Sequence, residues 1–358
     1  MSRTLQRYLV QLYLACVALT ASAVLLVFLV IDFGDRLKLY VGARASDVLE
    51  LYLCKIAVTT VQLMPAAMLL GAGIALTTLK RRGELDAMRS LGISPRGIVA
   101  PLLGCATVLG VGLSVFDERV AAPAGARIDT LMVERFHVWG DWRYYYATQQ
   151  WLRLGPSVFR VFAADEAGIR GVTVFRLSPA FSLEQRVDAE AMRPLPDGAF
   201  ELTNASIRDY LNEPHLTTKA SEQTRFTLAD AKAFAIKSGR PEQMSSRELA
   251  EQERLRATAG LPTVRYALAR HGRYSQPLLG AAGALLACAL ALRRGRRPAL
   301  TVALVEGLGV SAALWGLVVV GRALSLSERV AAPVGAWLPL VALLAAGVLG
   351  VRRVERSA

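Results

Sequence analysis

The chain has 358 residues, of which 53% are hydrophobic, with a mean hydropathy of +0.36 and a formal net charge of +13. It is too apolar for an ordinary soluble protein, so the composition predicts several membrane spans together with a more polar region. The charge does not indicate a nucleic-acid-binding protein, because the sequence shows no basic module interleaved with aromatic residues. In membrane proteins, lysine and arginine gather instead in the cytoplasmic loops.

Six apolar runs are the candidate membrane spans. They cover about residues 9–31, 51–79, 98–116, 277–292, 300–323 and 334–351. The first run follows two arginines, as in a signal peptide, but ~20 residues are enough to cross a bilayer and predict an uncleaved span. Pro65 lies deep inside the second run, where a proline predicts a tilt or a break in the helix.

Basic residues predict how the spans are oriented. With six spans, the segments before span one, between spans two and three, between spans four and five, and after span six lie on one side. These segments contain Arg3, Arg7, Lys80, Arg81, Arg82, Arg89, Arg96, Arg293, Arg294, Arg296, Arg297, Arg352, Arg353 and Arg356. The positive-inside rule makes this side cytoplasmic, which places both termini inside and residues 124–271 outside.

The segment RRGELDAMRSLGIS, residues 81–94, predicts a short amphipathic helix in the cytoplasmic loop between spans two and three. At helical spacing Glu84, Leu85, Met88 and Leu91 fall on roughly one face. That face can insert into a groove on a soluble partner, with Arg89 at its rim. Glycines before and after the segment allow the chain to enter and leave sharply. A plain solvated connector is the alternative interpretation.

The first span ends in IDFGDRLKLY, residues 31–40, where acidic and basic residues occur together. Arg36 and Lys38 lie just beyond the apolar run, close to Asp32 and Asp35. One interpretation is an interfacial anchor for the helix. The other is a cationic site at the mouth of a cavity, which holds anionic headgroups such as phosphates.

Residues 124–271 form a polar segment of ~150 residues, which is enough for one domain. Apolar and polar residues alternate in its segments WLRLG, VFRVFAAD, GVTVFRLS, LEQRVDAEAM, AFELTNASIRDY and TRFTL, as they do in half-buried strands. Turns with glycine and proline separate these segments, which predicts an antiparallel sandwich or jelly roll. Residues 245–257 predict a helix in which Ser245 and Glu248 form a capping box.

No arrangement of residues in the sequence indicates a catalytic or metal site. There is no GxxxxGK(S/T) phosphate loop, no GxSxG elbow and no HExxH motif. His137, His215 and His271 are scattered, and adjacent carboxylates such as Asp117 and Glu118 are interpreted as solvated charges. The four cysteines lie in apolar runs without the spacing of a disulfide framework or metal site; they are Cys16, Cys54, Cys105 and Cys288. The sequence therefore predicts neither an enzyme nor a bound cofactor.

Glu306 is the clearest acidic residue inside a predicted span, in the stretch VALVEGLGVSAALWG. Acidic residues within a membrane are functional by default, facing a partner or a water-filled cavity. The other interpretation places Glu306 near the cytoplasmic end of span five, where its side chain reaches the interface.

Along essentially its whole length the sequence resembles the LptF/LptG permeases of the lipopolysaccharide export ABC transporter. The most specific motif is the loop (S/G)EL-x-A-x-R-x-x-G-(I/V)-S, which here is GELDAMRSLGIS. LMPAAMLLGAGIALTTL in span two, ERVAAP after span three and SQPLLG at span four are also similar to the family. The end of span one resembles LptG more than LptF, because Phe33, Asp35, Leu37 and Lys38 match an F-x-D-x-L-K pattern. Asp32 and Leu39 depart from it, since basic residues are found there in the pattern, so LptF stays open.

The resemblance implies six transmembrane helices with a periplasmic jelly-roll-like domain inserted between spans three and four. Residues 1–123 would hold spans one to three and a coupling helix at 81–94, residues 124–271 the periplasmic domain, and residues 272–358 spans four to six. The implied function is a permease of the bacterial inner membrane that extracts lipopolysaccharide and passes it to a periplasmic β-bridge. Implied partners are a second LptF/LptG-type permease, a cytoplasmic LptB-like ATPase dimer that binds the ATP, and LptC- and LptA-like periplasmic proteins.

The resemblance also implies roles for individual residues. Those coupling the permease to the ATPase would be Glu84, Leu85, Met88 and Arg89, and those contacting lipopolysaccharide would be Arg36, Lys38 and Phe33. The two cations would meet phosphates of the lipid headgroup.

Three other functions remain as alternatives. A permease for a different lipid or lipoprotein ABC exporter usually carries its outer domain after the first span, unlike this chain. A membrane-anchored periplasmic enzyme requires a clustered acid–base or nucleophilic site in residues 124–271. A tether that assembles a periplasmic complex without turnover predicts that a change at Glu84 leaves function intact.

Overall fold

The structure of the protein is a computed structural model. It describes residues 2–136, 150–154, 157–165, 168–178, 180–194, 199–210, 217–227, 240–258, 262–294 and 299–356. The chain divides into two compact units. The membrane unit comprises Met1–Phe136 and Ala267–Ala358, and the sheet unit comprises His137–Tyr266.

The described residues contain ten α-helices. They are α1 Arg3–Asp35, α2 Leu37–Tyr40, α3 Ala45–Arg81, α4 Glu84–Ser90, α5 Pro95–Phe116, α6 Ala122–Glu134, α7 Ser246–Thr258, α8 Val264–Arg293, α9 Leu300–Leu326 and α10 Ala332–Arg356. A π-helical turn, Asp117–Ala121, joins α5 to α6 without interrupting the helical path.

Six helices of the described residues are long and apolar enough to cross a membrane. They are α1, α3, α5 with its continuation to Met132, α8, α9 and α10. The six predicted spans all lie within these helices and are confirmed. The helices extend beyond the apolar runs because hydropathy, which located the runs, does not mark where a helix begins or ends. α3 passes through Pro65 as one helix from Ala45 to Arg81.

α8 is the central helix of the membrane unit. In its most apolar stretch 78% of the residues are buried, against 11% for α1. Small residues allow this burial, since a Cβ on Gly283 would come within 2.9 Å of the Leu69 side chain. Between apolar helices in a bilayer, such close packing replaces the hydrophobic effect as the source of association. α1 packs on α3, where the fully buried Tyr13 donates a hydrogen bond to the Met68 carbonyl at 3.4 Å.

Three contacts bring the basic helix ends together. The Tyr8 hydroxyl of α1 donates to Glu84 at 2.7 Å, Lys80 of α3 donates to the Leu292 carbonyl of α8 at 3.3 Å, and Arg96 of α5 pairs with Glu355 of α10 at 2.6 Å. We call this the α4 end of the membrane unit and the opposite one the distal end.

The sheet unit contains a six-stranded antiparallel sheet. Its described strands are β1 Gln150–Leu154, β2 Ser157–Asp165, β3 Gly168–Leu177, β4 Leu183–Pro194, β5 Ala199–Asp209 and β6 Thr217–Thr227, paired in that order. Phe159 is opposite Val174 and Val174 opposite Val187, so these buried side chains share one face. The predicted antiparallel β-region is confirmed, whereas closure into a jelly roll stays a prediction.

The predicted capping box of α7 is confirmed. The backbone N–H of Ser245 donates to the Glu248 carboxylate at 2.9 Å, and the backbone N–H of Glu248 donates to the Ser245 hydroxyl at 3.2 Å. These reciprocal bonds satisfy amide groups that lack a partner at the start of any helix, which is why α7 begins here.

Candidate functional site

The short helix predicted at residues 81–94 is present as α4, Glu84–Ser90. Gly83 precedes it with a φ of 74°, and Gly92 follows it with a φ of 81°. Both angles lie in the left-handed region, where any residue with a Cβ is strained. α4 is therefore a separate element at the α4 end, held between two sharp turns that connect it to α3 and α5.

The apolar residues of α4 do not share one exposed face, which corrects the interpretation from the sequence. Leu85 is 0% exposed and Met88 is 7% exposed, and both belong to the core of the membrane unit. Leu91 follows the last residue of the helix and is 80% exposed. Leu85 and Met88 therefore anchor α4 to its own chain, and the surface open to a partner includes Leu91 and the partly exposed Glu84 and Arg89.

Glu84 is held in position by a residue that sequence reasoning missed. The Tyr8 hydroxyl of α1 donates to its carboxylate at 2.7 Å, and the Arg82 guanidinium lies 3.8 Å from it. About one third of the Glu84 side chain (33%) stays exposed. No local pattern indicates Tyr8, because it precedes Glu84 by 76 residues. The carboxylate is thus oriented from two sides and still accessible.

At the distal end, Asp32 of α1 lies beside two cations, one directly after α1 and one in α3. Its carboxylate pairs with Lys55 and with Arg36, whose Nε lies 3.2 Å away, and the Tyr52 hydroxyl donates to it at 3.1 Å. Lys55 is buried and Asp32 is mostly buried, whereas Arg36 is half-exposed. A carboxylate is retained in such surroundings only when cations and hydrogen-bond donors compensate for its lost hydration.

Aromatic rings surround these charges. Phe33 stacks on Tyr40 with ring centroids 5.5 Å apart, and Tyr52 meets both rings edge-on at 5.7 and 5.9 Å. Phe136, at the end of the first segment of the membrane unit, packs against Tyr40 at 5.7 Å. We call Asp32, Phe33, Arg36, Tyr40, Tyr52 and Lys55 the Asp32 cluster. It presents one partly exposed cation beside an exposed aromatic ring.

The structure brings Arg36 and Phe33 together in the Asp32 cluster but leaves Lys38 outside it. Lys38 is exposed on α2 and forms no ion pair with another residue in the described part of the chain. Sequence reasoning missed Lys55, although a signal was present. Lys55 is a cation inside the second predicted span, and intramembrane cations mark functional or paired positions.

Asp117 and Glu118 are not solvated charges, and that interpretation is wrong. Arg273 of α8 is buried, with Nε 3.3 Å from the Asp117 carboxylate and Nη1 2.9 Å from the Glu118 carboxylate. The π-helical turn that carries both acids changes the direction of their side chains relative to α5. Arg273 lies 155 residues from Glu118, beyond the reach of a local pattern.

Glu306 has a partner within the chain. Its carboxylate accepts two hydrogen bonds from the Arg294 guanidinium, with the Nε donor at 3.0 Å. The pair lies near the α4 end, as the second sequence interpretation expected, but Glu306 reaches Arg294 and not only the interface.

The sequence of the chain matches a protein-family model along nearly its whole length. The model is described as "Lipopolysaccharide export system permease LptF/LptG" and matches residues 7–353. No curated protein sequence matches closely enough to add a named relative. The match includes α4, the Asp32 cluster and the sheet unit.

Proposed function

The chain belongs to the LptF/LptG family of lipopolysaccharide export permeases, and we propose that it is the membrane subunit of an ABC transporter. This transporter extracts lipopolysaccharide from the bacterial inner membrane and passes it to a periplasmic β-bridge. The observation that carries the proposal is α4, a separate helix with anchored apolar residues and an oriented, accessible Glu84. In this proposal ATP is bound by the partner ATPase, because the sequence of this chain contains no GxxxxGK(S/T) phosphate loop.

α4 is the coupling helix in this proposal. Glu84, Arg89 and Leu91 contact a groove on a cytoplasmic LptB-like ATPase dimer, while Leu85 and Met88 transmit its movement to the membrane core. The basic helix ends near α4 support a cytoplasmic location for this end. Both termini are then cytoplasmic, and the sheet unit lies in the periplasm.

The Asp32 cluster and Lys38 form the headgroup site in this proposal. Lys38 is exposed and unpaired among the described residues, so it attracts a lipid phosphate more strongly than Arg36 does. Arg36 shares its charge with Asp32, and the exposed Phe33 ring contacts apolar parts of the lipid. The match to the F-x-D-x-L-K pattern favours the LptG-like member of the permease pair.

Two further surfaces accommodate partners. α1 and α9 expose apolar side chains, including Leu26, Val305 and Val320, that suit contact with lipid or with a second LptF/LptG-type permease. β1 and β6 are the outer strands of the described sheet, and outer strands present unpaired backbone groups. Strand addition at one of them would join LptC- or LptA-like jelly-roll proteins to the sheet unit.

The test is co-purification of the detergent-solubilised chain with its host's lipopolysaccharide-export ATPase and second permease. We expect the wild type to retain the ATPase and Glu84→Ala to retain much less, because the variant removes an accessible charge from the contact. Glu355→Ala is the matched control, since it removes another carboxylate at the α4 end and should retain the ATPase. Absence of ATPase from the wild-type preparation would contradict the proposal and restore the tether and enzyme alternatives.

A further inference from the structure

A polar cluster joins three membrane helices just before the chain enters α4. It consists of Thr77 and Lys80 of α3, Arg294 directly after α8, and Glu306 of α9. We call these four residues the Arg294 clamp. Three of its contacts connect α3 with the end of α8, and the contact of Arg294 with Glu306 connects that end with α9, so the clamp links all three helices at the α4 end.

Lys80 holds the end of α8. Its ammonium donates to the Leu292 carbonyl at 3.3 Å and to the Arg294 carbonyl, and the side chain is buried. The last carbonyls of a helix have no partner within the helix and carry partial negative charge. A lysine from α3 thus serves α8 as a C-terminal cap, and neither helix can shift at this end without breaking that contact.

Arg294 extends the connection to α9. Its guanidinium donates from two nitrogens to the Glu306 carboxylate and from Nη1 to the Thr77 hydroxyl at 2.7 Å. Both bonds to the carboxylate converge on one oxygen, Oε2, and these charge-assisted bonds hold that oxygen against the edge of the guanidinium. α9 is therefore linked to α3 through a single side chain that contacts both helices.

The two members of the ion pair differ in burial, since the Arg294 side chain is 10% exposed and the Glu306 side chain is 40% exposed. A narrow space beside Arg294 and Glu306 is lined by apolar or small residues, namely Leu69, Gly73, Ala287, Leu290, Ala303, Gly307 and Val310. Separating the charges leaves the mostly buried Arg294 guanidinium without its ionic partner, which costs more than breaking a pair in which both groups are exposed. A movement imposed on α3 should then carry α9 along before it separates the pair.

The sequence places the clamp directly next to α4. Lys80 lies four positions before Glu84, and only the turn at Arg82 and Gly83 intervenes. α9 also packs directly on α3, where Gly307 lies against the Leu70 side chain, although only 22% of its most apolar stretch is buried, against 78% in α8. The clamp adds a directional polar link to this apolar contact, directly before α4.

We propose that Glu306 and Arg294 are positioning residues that transmit displacement of α4 to α9. The inference rests on the proposed function, because it requires an ATPase that moves α4. During the ATP cycle the clamp moves α3, α8 and α9 as one body at the α4 end. The lipid-facing surface of α9 changes position, and lipopolysaccharide release is coupled to hydrolysis.

The test uses the complete complex with ATPase and second permease, reconstituted in proteoliposomes containing lipopolysaccharide. We compare wild type, Glu306→Gln and Arg96→Gln, the last of which removes the exposed arginine of another ion pair at the same end. We expect Glu306→Gln to bind the ATPase and hydrolyse ATP nearly as the wild type does. Lipopolysaccharide released per ATP should fall about fivefold to tenfold, which is the lower end of the range for a typical coupling energy. Arg96→Gln should release lipopolysaccharide as the wild type does.

A distance measurement separates transmission from a merely structural role. Spin labels replace the exposed Leu26 of α1 and Val320 of α9 in a chain whose four cysteines are substituted. The wild-type distance should change between nucleotide-free and ATP-bound states, and this change should be lost in Glu306→Gln. The double variant Glu306→Arg/Arg294→Glu should restore both the release ratio and the nucleotide-dependent distance change. It also tests the role of the ion pair if the single variant assembles poorly.

The outcomes distinguish the two proposals. A wild-type chain that recruits no ATPase contradicts the proposed function. Normal recruitment with an unchanged release ratio and an unchanged nucleotide-dependent distance in Glu306→Gln contradicts only the role of the clamp. Failure of the double variant to restore either readout also contradicts it, because the link is then not the ion pair.

Discussion

The two ends of the membrane unit use charge in different ways. At the α4 end, polar contacts join separate helices, as Tyr8 does with Glu84 and Arg294 does with Glu306. At the distal end, the single carboxylate of Asp32 pairs with two cations, Arg36 and Lys55, beside a group of aromatic rings. Both arrangements link helices, since Lys55 of α3 pairs with Asp32 of α1, but the distal one also places a partly exposed cation beside an exposed aromatic ring, as the proposed headgroup site requires.

In the proposed function, this difference corresponds to separate roles for the two ends. A polar cluster that links helices requires its charges to be paired within the chain. An unpaired charge there would have the free-energy cost of lost hydration without connecting two helices. A headgroup site requires at least one cation that remains available. Lys38 meets that requirement, and Arg36 meets it only in competition with Asp32.

The largest expected effect comes from removing Lys55. Lys55→Met leaves the mostly buried Asp32 with only the half-exposed Arg36 as an ionic partner, and we expect the free energy of unfolding to fall by about 3 kcal/mol. Denaturant titration in mixed micelles measures this change. The double variant Asp32→Asn/Lys55→Met should recover most of the loss. A single variant as stable as the wild type would show that Asp32 does not depend on Lys55.

The sequence predicts the spans well because a bilayer imposes a simple rule of length and hydropathy. It also locates α4, Phe33 and Arg36, which belong to short local motifs. It assigns Leu85 and Met88 to the wrong surface, since an amphipathic pattern does not reveal whether the chain's own core or a partner covers the apolar face. That choice depends on tertiary packing.

The contacts that orient the candidate sites are the part that sequence reasoning misses. Tyr8 lies 76 residues from Glu84, and Arg273 lies 155 residues from Glu118. No periodicity or spacing rule operates over such separations. Lys55 and Glu306 differ from these residues, because each is a charged residue inside an apolar run. Such a residue predicts that a partner exists, even when the sequence does not identify the partner.

A smaller effect should separate Lys38 from Arg36 in binding of lipopolysaccharide. A cation near a membrane surface contributes about 1 kcal/mol, so Lys38→Gln should weaken binding to the purified complex about fivefold. Arg36→Gln should weaken it less, because Asp32 already neutralises part of that charge. Asp32→Asn should strengthen binding by releasing Arg36. Photocrosslinking from span one measures all three, and a greater loss for Arg36→Gln than for Lys38→Gln would reverse the assignment.

The smallest effect is expected at Arg96, which pairs with Glu355 at 2.6 Å between α5 and α10. Its side chain is 68% exposed, so water screens the pair, and Arg96→Gln should change the free energy of unfolding by about 0.5 kcal/mol or less. Added salt should erase even that difference. A loss of several kcal/mol that persists in high salt would mean that exposed pairs also hold the α4 end together. The links between helices would then be spread over the whole surface of that end, and the Arg294–Glu306 pair would be one link among several.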